Sequence, residues 1–291
     1  MNLVDRRYQL IDFGRGRKLE SLAGYLVDRP SPAAVGTIVR SPAKWKHADA
    51  TYNAEQRVWE YHRPWPAGLT IDCGLFGMPI RPTPYGHIGL FPEQQLNWLW
   101  LGDNGENDGR SFVDTNAALN LFAYTGASTI ALARAGYSVA HVDAAKPNVQ
   151  AARLAAETND LSGASIRYLV DDAAKFAARE VRRQRKYQTI LMDPPAYGHS
   201  PKGKAWRLER DLWPLLNDCL KLLDKDSFRL LITGHSPEVG QQEILQFLRQ
   251  NEFLKPFLGS SRLNIESGRS QLRDEEDRSL DAGFFVRVQM P

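Results

Sequence analysis

Cysteine is scarce in this chain of 291 residues, which has two, Cys73 and Cys219. So few thiols exclude a disulfide framework and a cysteine-based zinc site, and they indicate a reducing, cytoplasmic compartment. No apolar run approaches the roughly 18–20 residues that a membrane helix needs. The opening MNLVDRRYQL has no apolar segment before a cleavage site. We therefore expect no secretory signal, no membrane partner and no metal site.

The chain also lacks a large net charge. The 37 Lys and Arg residues exceed the 34 Asp and Glu residues by three, which is too few to indicate a nucleic-acid partner. Hydrophobic residues make up 43% of the chain and charged residues 24%. This composition is ordinary for a globular protein and excludes disorder as the dominant state. The length fits one large domain or two smaller ones.

Residues 1–110 have the composition of a small β domain. They hold nine of the 17 prolines and 12 of the 22 glycines, set between short β-type runs. We predict a mainly antiparallel β domain there, with a long loop over 30–53 and a short helix over 93–101. The polar, glycine-rich stretch 102–111 marks the domain boundary. The predicted strands are 8–13, 57–62, 69–73, 78–81 and 87–90.

Residues 111–291 alternate strand and helix patterns. Near-continuous apolar strands that alternate with helices indicate a parallel sheet covered on both faces. We therefore predict an α/β domain with a Rossmann-like, seven-stranded sheet. The ligand of such a sheet lies beyond the carboxyl ends of the strands, so the residues that follow each strand are the informative ones. The predicted strands are 116–123, 137–142, 165–170, 187–192, 228–233, 257–265 and 282–289, and the helices are 127–135, 147–158, 173–184, 208–223 and 237–251.

The first two strand ends suggest a nucleoside-type ligand. After the first strand, the turn 122–128 contains one glycine, Gly126, and lacks the three glycines that a dinucleotide needs. NAD is therefore disfavoured, and a smaller anion such as an amino-acid carboxylate suits the helix N-terminus, although an ordinary turn explains the motif equally well. Asp143 follows the second strand, where an acid accepts hydrogen bonds from ribose hydroxyls or simply terminates the strand.

The third and fourth strands also end in acids. Asp171 and Asp172 follow the third strand, where Asp172 can accept from an adenine amino group, cap the next helix, or do both. Asp193-Pro194-Pro195-Ala196-Tyr197 follows the fourth strand. The two prolines make a rigid loop with free carbonyl acceptors, and Tyr197 offers a ring for stacking. The pattern suits a site for an extruded base, with a plain Pro-Pro turn as the alternative.

Together these motifs resemble the class I S-adenosylmethionine-dependent methyltransferases. The resemblance rests on residues 120–126, Val142-Asp143, Asp171-Asp172 and 193–197. More narrowly, the motifs are similar to the bacterial large-subunit ribosomal RNA methyltransferases, which modify C5 of cytosine or N7 of guanine. Residues 89–94 (GLFPEQ) resemble the segment that precedes the core of those enzymes, although Gln95 stands where the family usually has Arg. The resemblance covers about residues 70–290.

The resemblance implies S-adenosylmethionine as cofactor and assigns a role to each matched residue. The turn from Phe122 to Gly126 would wrap the methionine end, Asp143 would bind the ribose, and Asp172 the adenine amino group. Asp193, Pro194 and Tyr197 would face the methyl acceptor as the catalytic set. The remaining residues of the expected cofactor site are Ala123, Tyr124, Thr125, Asp171 and Gln94.

One departure bears on the chemistry. Methylation of cytosine C5 requires a Cys nucleophile, which the related enzymes place after the fifth strand, but residues 232–237 read ITGHSP. We therefore predict a base nitrogen of RNA, in particular ribosomal RNA, as acceptor. His235 either assists proton loss or is an ordinary loop histidine. The alternatives are a protein or small-molecule acceptor and a non-catalytic cofactor-binding module.

The loop after Tyr197 mixes basic residues with an aromatic ring. Basic side chains with an interleaved aromatic ring are typical of surfaces that contact phosphates and stack on bases. A charged, solvated loop explains the same pattern equally well. The residues concerned are Lys202, Lys204, Trp206, Arg207 and Arg210.

Overall fold

The computed structural model describes residues 7–103, 116–198 and 205–291. The chain divides into two compact units, and each is formed by two separate stretches of sequence. Unit 1 comprises Met1–Leu99 and Ser270–Ala282, and unit 2 comprises Trp100–Arg269 and Gly283–Pro291. The predicted boundary at residue 110 lies outside the described residues and stays a prediction. No helix among the described residues is long and apolar enough to cross a membrane.

Unit 1 contains a five-stranded sheet in which the strands lie in chain order. All neighbouring strands are antiparallel except the third and fourth, which are parallel. The predicted mainly antiparallel β domain is thus confirmed. The elements are β1 (Tyr8–Gly14), β2 (Arg17–Leu22), β3 (Tyr25–Pro30), α1 (Pro42–Trp45), β4 (Ala50–Asn53), β5 (Val58–Tyr61), the small hairpin β6 (Thr70–Asp72) and β7 (Gly77–Pro79), and α2 (Gln95–Gly102), which runs into unit 2.

Several local predictions for unit 1 were wrong. Residues 87–90 form no strand, and the loop predicted over 30–53 contains α1 and β4. β2 and β3 were not predicted, because β2 (RKLESL) carries charged side chains that normally lie on the surface.

The charges of β2 are buried but paired. Glu20 is fully buried and forms ion pairs with Arg29 and with Lys18, whose Nζ lies 2.8 Å from Glu20 Oε1. Burial alone raises the pKa of Glu20, but the two cations outweigh burial and lower the pKa to about 2. The paired charges allow a charged strand to lie inside the unit.

Asp12 connects the two stretches of unit 1. Its carboxylate accepts hydrogen bonds from the backbone N–H of Ser41 and from Trp45 Nε1, each at 2.8 Å. It also forms an ion pair with Arg278, which lies on the second stretch. Leu272 and Leu280 of the same stretch join a buried apolar cluster with residues of β1.

Unit 2 contains a seven-stranded sheet with helices between the strands. Its elements are β8 (Ala117–Leu121), α3 (Ala127–Arg134), β9 (Ser138–Asp143), α4 (Lys146–Thr158), β10 (Ile166–Val170), α5 (Ala173–Arg182), β11 (Thr189–Met192), the two-residue strands β12 (Tyr197–Gly198) and β13 (Trp206–Arg207), α6 (Leu208–Leu222), β14 (Phe228–Gly234), α7 (Gln241–Gln250), β15 (Asn264–Arg273) and β16 (Ser279–Met290).

The strand order is β10-β9-β8-β11-β14-β16-β15. The first five of these strands are parallel, and β16 is antiparallel to β14. The predicted α/β, Rossmann-like, seven-stranded sheet is confirmed. The strand predicted over 257–265 was misplaced, because β15 begins only at Asn264 and runs to Arg273. The last strand, predicted over 282–289, extends further at both ends, over Ser279–Met290. The segment 270–282, which contains parts of both strands, belongs to unit 1. A large apolar core lies between the central strands and the helices α5, α6 and α7.

Candidate functional site

The direction of the chain reverses between β8 and β11. From β8 the chain adds β9 and β10 on one side, and it then returns to place β11 on the other side of β8. Connections that leave two neighbouring parallel strands in opposite directions open a crevice at the carboxyl ends of those strands. The predicted cofactor turn and the predicted acceptor loop follow β8 and β11, so both begin at this crevice.

Residues 122–126, called the cofactor turn after their predicted role, have an unusual backbone. Phe122, Tyr124 and Gly126 have φ angles of 55°, 50° and 94°. Two of these residues are not glycine, and such conformations persist where the surroundings hold them. The Ala123 N–H donates to the Val142 carbonyl at 3.0 Å, which fastens the turn to β9.

Gly126 brings α3 close to α4. A Cβ at this position would lie 2.8 Å from the Cβ of Ala152 on α4, so a side chain has no room. α3 begins directly after this residue, at Ala127, and its first N–H groups face the crevice end of the sheet. A helix N-terminus of this kind suits a carboxylate.

Asp143 joins the turns that follow β8 and β9. Its Oδ2 accepts from the Tyr124 N–H at 2.8 Å, and its Oδ1 accepts from the Ala145 N–H at 2.8 Å and from Asn148 Nδ2 at 3.0 Å. The residue is 9% exposed. A carboxylate offers about four acceptor positions, so Asp143 can hold the backbone and still accept from a ligand hydroxyl.

A buried polar chain lies behind the turn. Asn120 Nδ2 donates to Thr129 Oγ1 at 2.9 Å, and this hydroxyl lies 2.9 Å from Nδ1 of His141. His141 is fully buried, and burial, with the nearby Arg153 as a further cause, lowers its pKa to about 4. No sequence pattern indicates these hydrogen bonds, because the three residues come from three separate elements, β8, α3 and β9.

The two acids after β10 make contacts within the protein. Asp171 forms an ion pair with Arg179, and Asp172 caps α5 by accepting from the Lys175 N–H at 2.9 Å. The capping interpretation of Asp172 is confirmed. The cap uses Oδ1 of Asp172, and a cofactor role for either acid stays a prediction.

Gln94 belongs to unit 1, unlike the other residues of the expected cofactor site. Its side chain is buried, and its Oε1 accepts from Asn97 Nδ2 at 2.7 Å. A contact between Gln94 and the cofactor stays a prediction.

Residues 193–197, called the acceptor loop after their predicted role, continue directly from β11. Pro194 is buried and Asp193 half-buried, whereas the Tyr197 side chain is 62% exposed. Tyr197 pairs with Arg207 between β12 and β13, and the Leu208 N–H donates to the Ala196 carbonyl at 3.0 Å. The loop is thus held at both ends and presents an aromatic ring outward.

The basic loop is only partly described. Lys202 and Lys204 lie outside the described residues. Arg207 is exposed, and Arg210 forms an ion pair with Asp211. Trp206, for which base stacking and a solvated loop were equal interpretations, packs its ring against Phe122, with the centroids 5.1 Å apart.

The two thiols are both buried. Cys219 is a buried core residue of α6, and Cys73 is buried in unit 1. Burial raises the pKa of the Cys73 thiol to about 12, with Asp72 contributing, and it raises the pKa of Cys219 well above its ordinary value. Both therefore remain thiols at neutral pH, which makes them poor nucleophiles. His235 is exposed at the carboxyl end of β14.

Solved structures resemble the whole chain. An S-adenosylmethionine-dependent methyltransferase from Agrobacterium tumefaciens is 30% identical, with a TM-score of 0.86, over 97% of this chain and 90% of that protein. A Streptococcus mutans protein assigned to the same class has a TM-score of 0.73 at 15% identity, over 99% of this chain and 76% of its own. Another methyltransferase-like structure, with a TM-score of 0.74 and 15% identity, contains S-adenosylhomocysteine.

Curated relatives match part of the chain. The ribosomal RNA large subunit methyltransferase K/L of Shewanella frigidimarina is 29% identical over 146 residues, which is 50% of this chain and 19% of that protein. The protein of the same name from Vibrio cholerae is 26% identical over 168 residues, 56% of this chain and 22% of its own length. The match thus spans about a fifth of these relatives. No protein-family model matches the chain.

Proposed function

The chain belongs to the class I S-adenosylmethionine-dependent methyltransferases, and from this membership we propose that it methylates a base of ribosomal RNA. The observation that carries the proposal is the acceptor loop. It is a rigid Asp-Pro-Pro segment at the crevice that ends in the outward-facing ring of Tyr197. The partial match to ribosomal RNA methyltransferases supports the same class of acceptor.

The residues at the crevice fit the shape and charge of the cofactor. The missing Cβ at Gly126 keeps the turn tight, and the N–H groups that begin α3 suit the carboxylate of a methionine moiety. Asp143 lies between two turns and has acceptor capacity left for ribose hydroxyls. When bound, S-adenosylmethionine supplies a methyl group that its sulfonium activates. The protein therefore mainly aligns the acceptor, and alignment can contribute about 7–11 kcal/mol.

The residues of the acceptor loop contribute in different ways to the alignment of the acceptor base. Tyr197 offers a face on which an extruded base can stack, which is worth about 1–3 kcal/mol per base. The carbonyl group of Pro194 and the carboxylate of Asp193 are acceptors for the N–H groups of a base edge. The Pro195 carbonyl, which we expected to be free as well, already accepts a hydrogen bond from Trp206 Nε1. These groups orient an acceptor nitrogen toward the cofactor turn.

A base nitrogen suits this site better than a base carbon. A nitrogen has a lone pair and needs no covalent activation, whereas cytosine C5 needs a Cys that adds to C6. Cys73 and Cys219 are both buried, with pKa values raised by burial. We place the reaction in the cytoplasm, where ribosomal RNA is available.

Transfer of a tritiated methyl group tests the proposal. The protein is incubated with labelled S-adenosylmethionine and, in separate reactions, with unmodified large-subunit ribosomal RNA, assembled large subunits, a protein extract and a pool of small metabolites. We expect label in RNA or in the subunits, at a nitrogen of one base after nuclease digestion. Label in the protein or metabolite fractions alone would refute the proposal, and label at cytosine C5 would refute the choice of nitrogen.

A further inference from the structure

Trp206 contacts both the cofactor turn and the acceptor loop. Its indole ring packs on Phe122 of the turn at 5.1 Å between centroids, with 58° between the ring planes. Its Nε1 donates a hydrogen bond of 2.7 Å to the carbonyl oxygen of Pro195 in the loop. One side chain thus connects the two parts of the crevice.

The backbone fixes the position of Trp206. It pairs with Gly198 between β12 and β13, and a Cβ on Gly198 would lie 3.2 Å from the Cβ of Trp206, so the strands approach closely. Two residues later the buried Leu208 begins α6 and donates its N–H to Ala196. The indole is therefore held between a strand pair and a helix start.

Phe122, the partner of this ring, is itself conformationally constrained. Its φ of 55° is unfavourable for a residue with a side chain and persists only with support from its surroundings. The packing of Trp206 supplies part of that support. A shift of the Phe122 ring would therefore press on the indole, which is hydrogen-bonded to the Pro195 carbonyl.

We propose that Trp206 is a positioning residue that couples the cofactor turn to the acceptor loop. The inference rests on the proposed function, because it assigns the turn to the cofactor and the loop to the acceptor. The ring and the N–H group of the indole have different roles. The ring supports Phe122 and hence cofactor binding, whereas the N–H holds the Pro195 carbonyl and hence the loop that receives the acceptor.

The chain offers a matched control in Trp213. Its Nε1 also donates to a backbone carbonyl, that of Glu209, at 3.1 Å, and its ring also packs on a phenylalanine, Phe247, at 5.3 Å. Like Trp206 it is half-buried. Trp213 lies within α6 and packs toward α7. Its replacement therefore removes the same kinds of contact as that of Trp206 but changes neither the cofactor turn nor the acceptor loop.

The test compares Trp206→Phe, Trp206→Ala, Trp213→Phe and Trp213→Ala. Calorimetry gives the Kd for S-adenosylhomocysteine, and steady-state kinetics give kcat and KM for an unmodified transcript of large-subunit ribosomal RNA. Trp206→Phe should keep its Kd within about twofold, because the ring remains, and should raise the RNA KM about three- to tenfold, because the N–H is lost. Trp206→Ala should also raise the Kd about three- to tenfold.

Both Trp213 variants should leave Kd and KM within about twofold of the wild type, with thermal melts as folding controls. Equal RNA KM values for Trp206→Phe and Trp213→Phe would overturn the inference, as would equal Kd values for Trp206→Ala and Trp213→Ala. If the wild type methylates no RNA, the proposed function fails, and the comparison of the two alanine variants by calorimetry still decides whether Trp206 supports the cofactor turn.

Discussion

Replacing Gly126 with alanine tests the close packing of the cofactor turn. Gly126 has a φ of 94°, and an added Cβ would lie 2.8 Å from the Cβ of Ala152. The left-handed backbone costs about 1–2 kcal/mol for a residue with a side chain. Forcing the extra methyl against α4 costs about another 1–3 kcal/mol. Gly126→Ala should therefore destabilise unit 2 by about 2–5 kcal/mol.

Gly136→Ala is the matched control. Gly136 has a φ of 84°, and no atom lies within 4 Å of its added Cβ, so this variant incurs the backbone cost alone. Alanine also restricts the unfolded chain, but to the same extent in both variants. The difference between the two variants should be about 1–3 kcal/mol, or roughly 2–4 °C in melting temperature per kcal/mol.

The assay combines urea unfolding, followed by circular dichroism, with calorimetry of S-adenosylhomocysteine binding. Gly126→Ala should lose affinity, because the methyl displaces the turn, whereas Gly136→Ala should bind like the wild type. Equal destabilisation by both substitutions, together with equal affinities, would refute the argument that this turn is tight because α3 approaches α4.

Three further predictions concern the acceptor loop, the thiols and the buried histidine. Tyr197→Ala should weaken the binding of RNA by about 1–3 kcal/mol, which raises its KM about 5- to 150-fold, and leave the melting temperature unchanged; an unchanged KM would exclude stacking on this ring. A Cys73→Ala, Cys219→Ala double variant should retain its kcat if it folds, and loss of methyl transfer with cofactor affinity intact would favour covalent catalysis. The folded pKa of His141, about 4, lies below its ordinary value of 6.5, so the unfolded chain takes up the proton first. The free energy of unfolding should therefore fall by about 2 kcal/mol between pH 7 and pH 5. In urea titrations over the same pH range, the free energy of unfolding of a His141→Asn variant should fall by less.

The sequence predicted unit 2 more accurately than unit 1. Strand and helix periodicities located the strands near the crevice to within about two residues, because continuous apolar strands and capped helices are local signals. β2 of unit 1 was not predicted, because Glu20 can be buried there only by its ion pair with Arg29 on the next strand. Local patterns cannot report a pairing of that kind.

The candidate site was predicted as a set of residues, but not as a set of contacts. The position of Asp143 at a strand end indicated an acceptor, yet its bonds to the N–H groups of Tyr124 and Ala145 depend on how two turns meet. Trp206 was placed among surface residues because its neighbours in sequence are basic. Its contact with Phe122 joins residues that lie 84 positions apart in the sequence.

The return of residues 270–282 to unit 1 has a consequence for biosynthesis. Residue 282 follows residue 99 by 183 positions, so the ribosome adds it much later. At about 5–20 residues per second this interval lasts roughly 10–40 s. During that time Asp12 lacks Arg278, and the apolar side chains of β1 lack Leu272 and Leu280. Unit 1 therefore cannot complete its folding in the order of translation, and the nascent chain carries an unfinished domain until residue 282 has been synthesised.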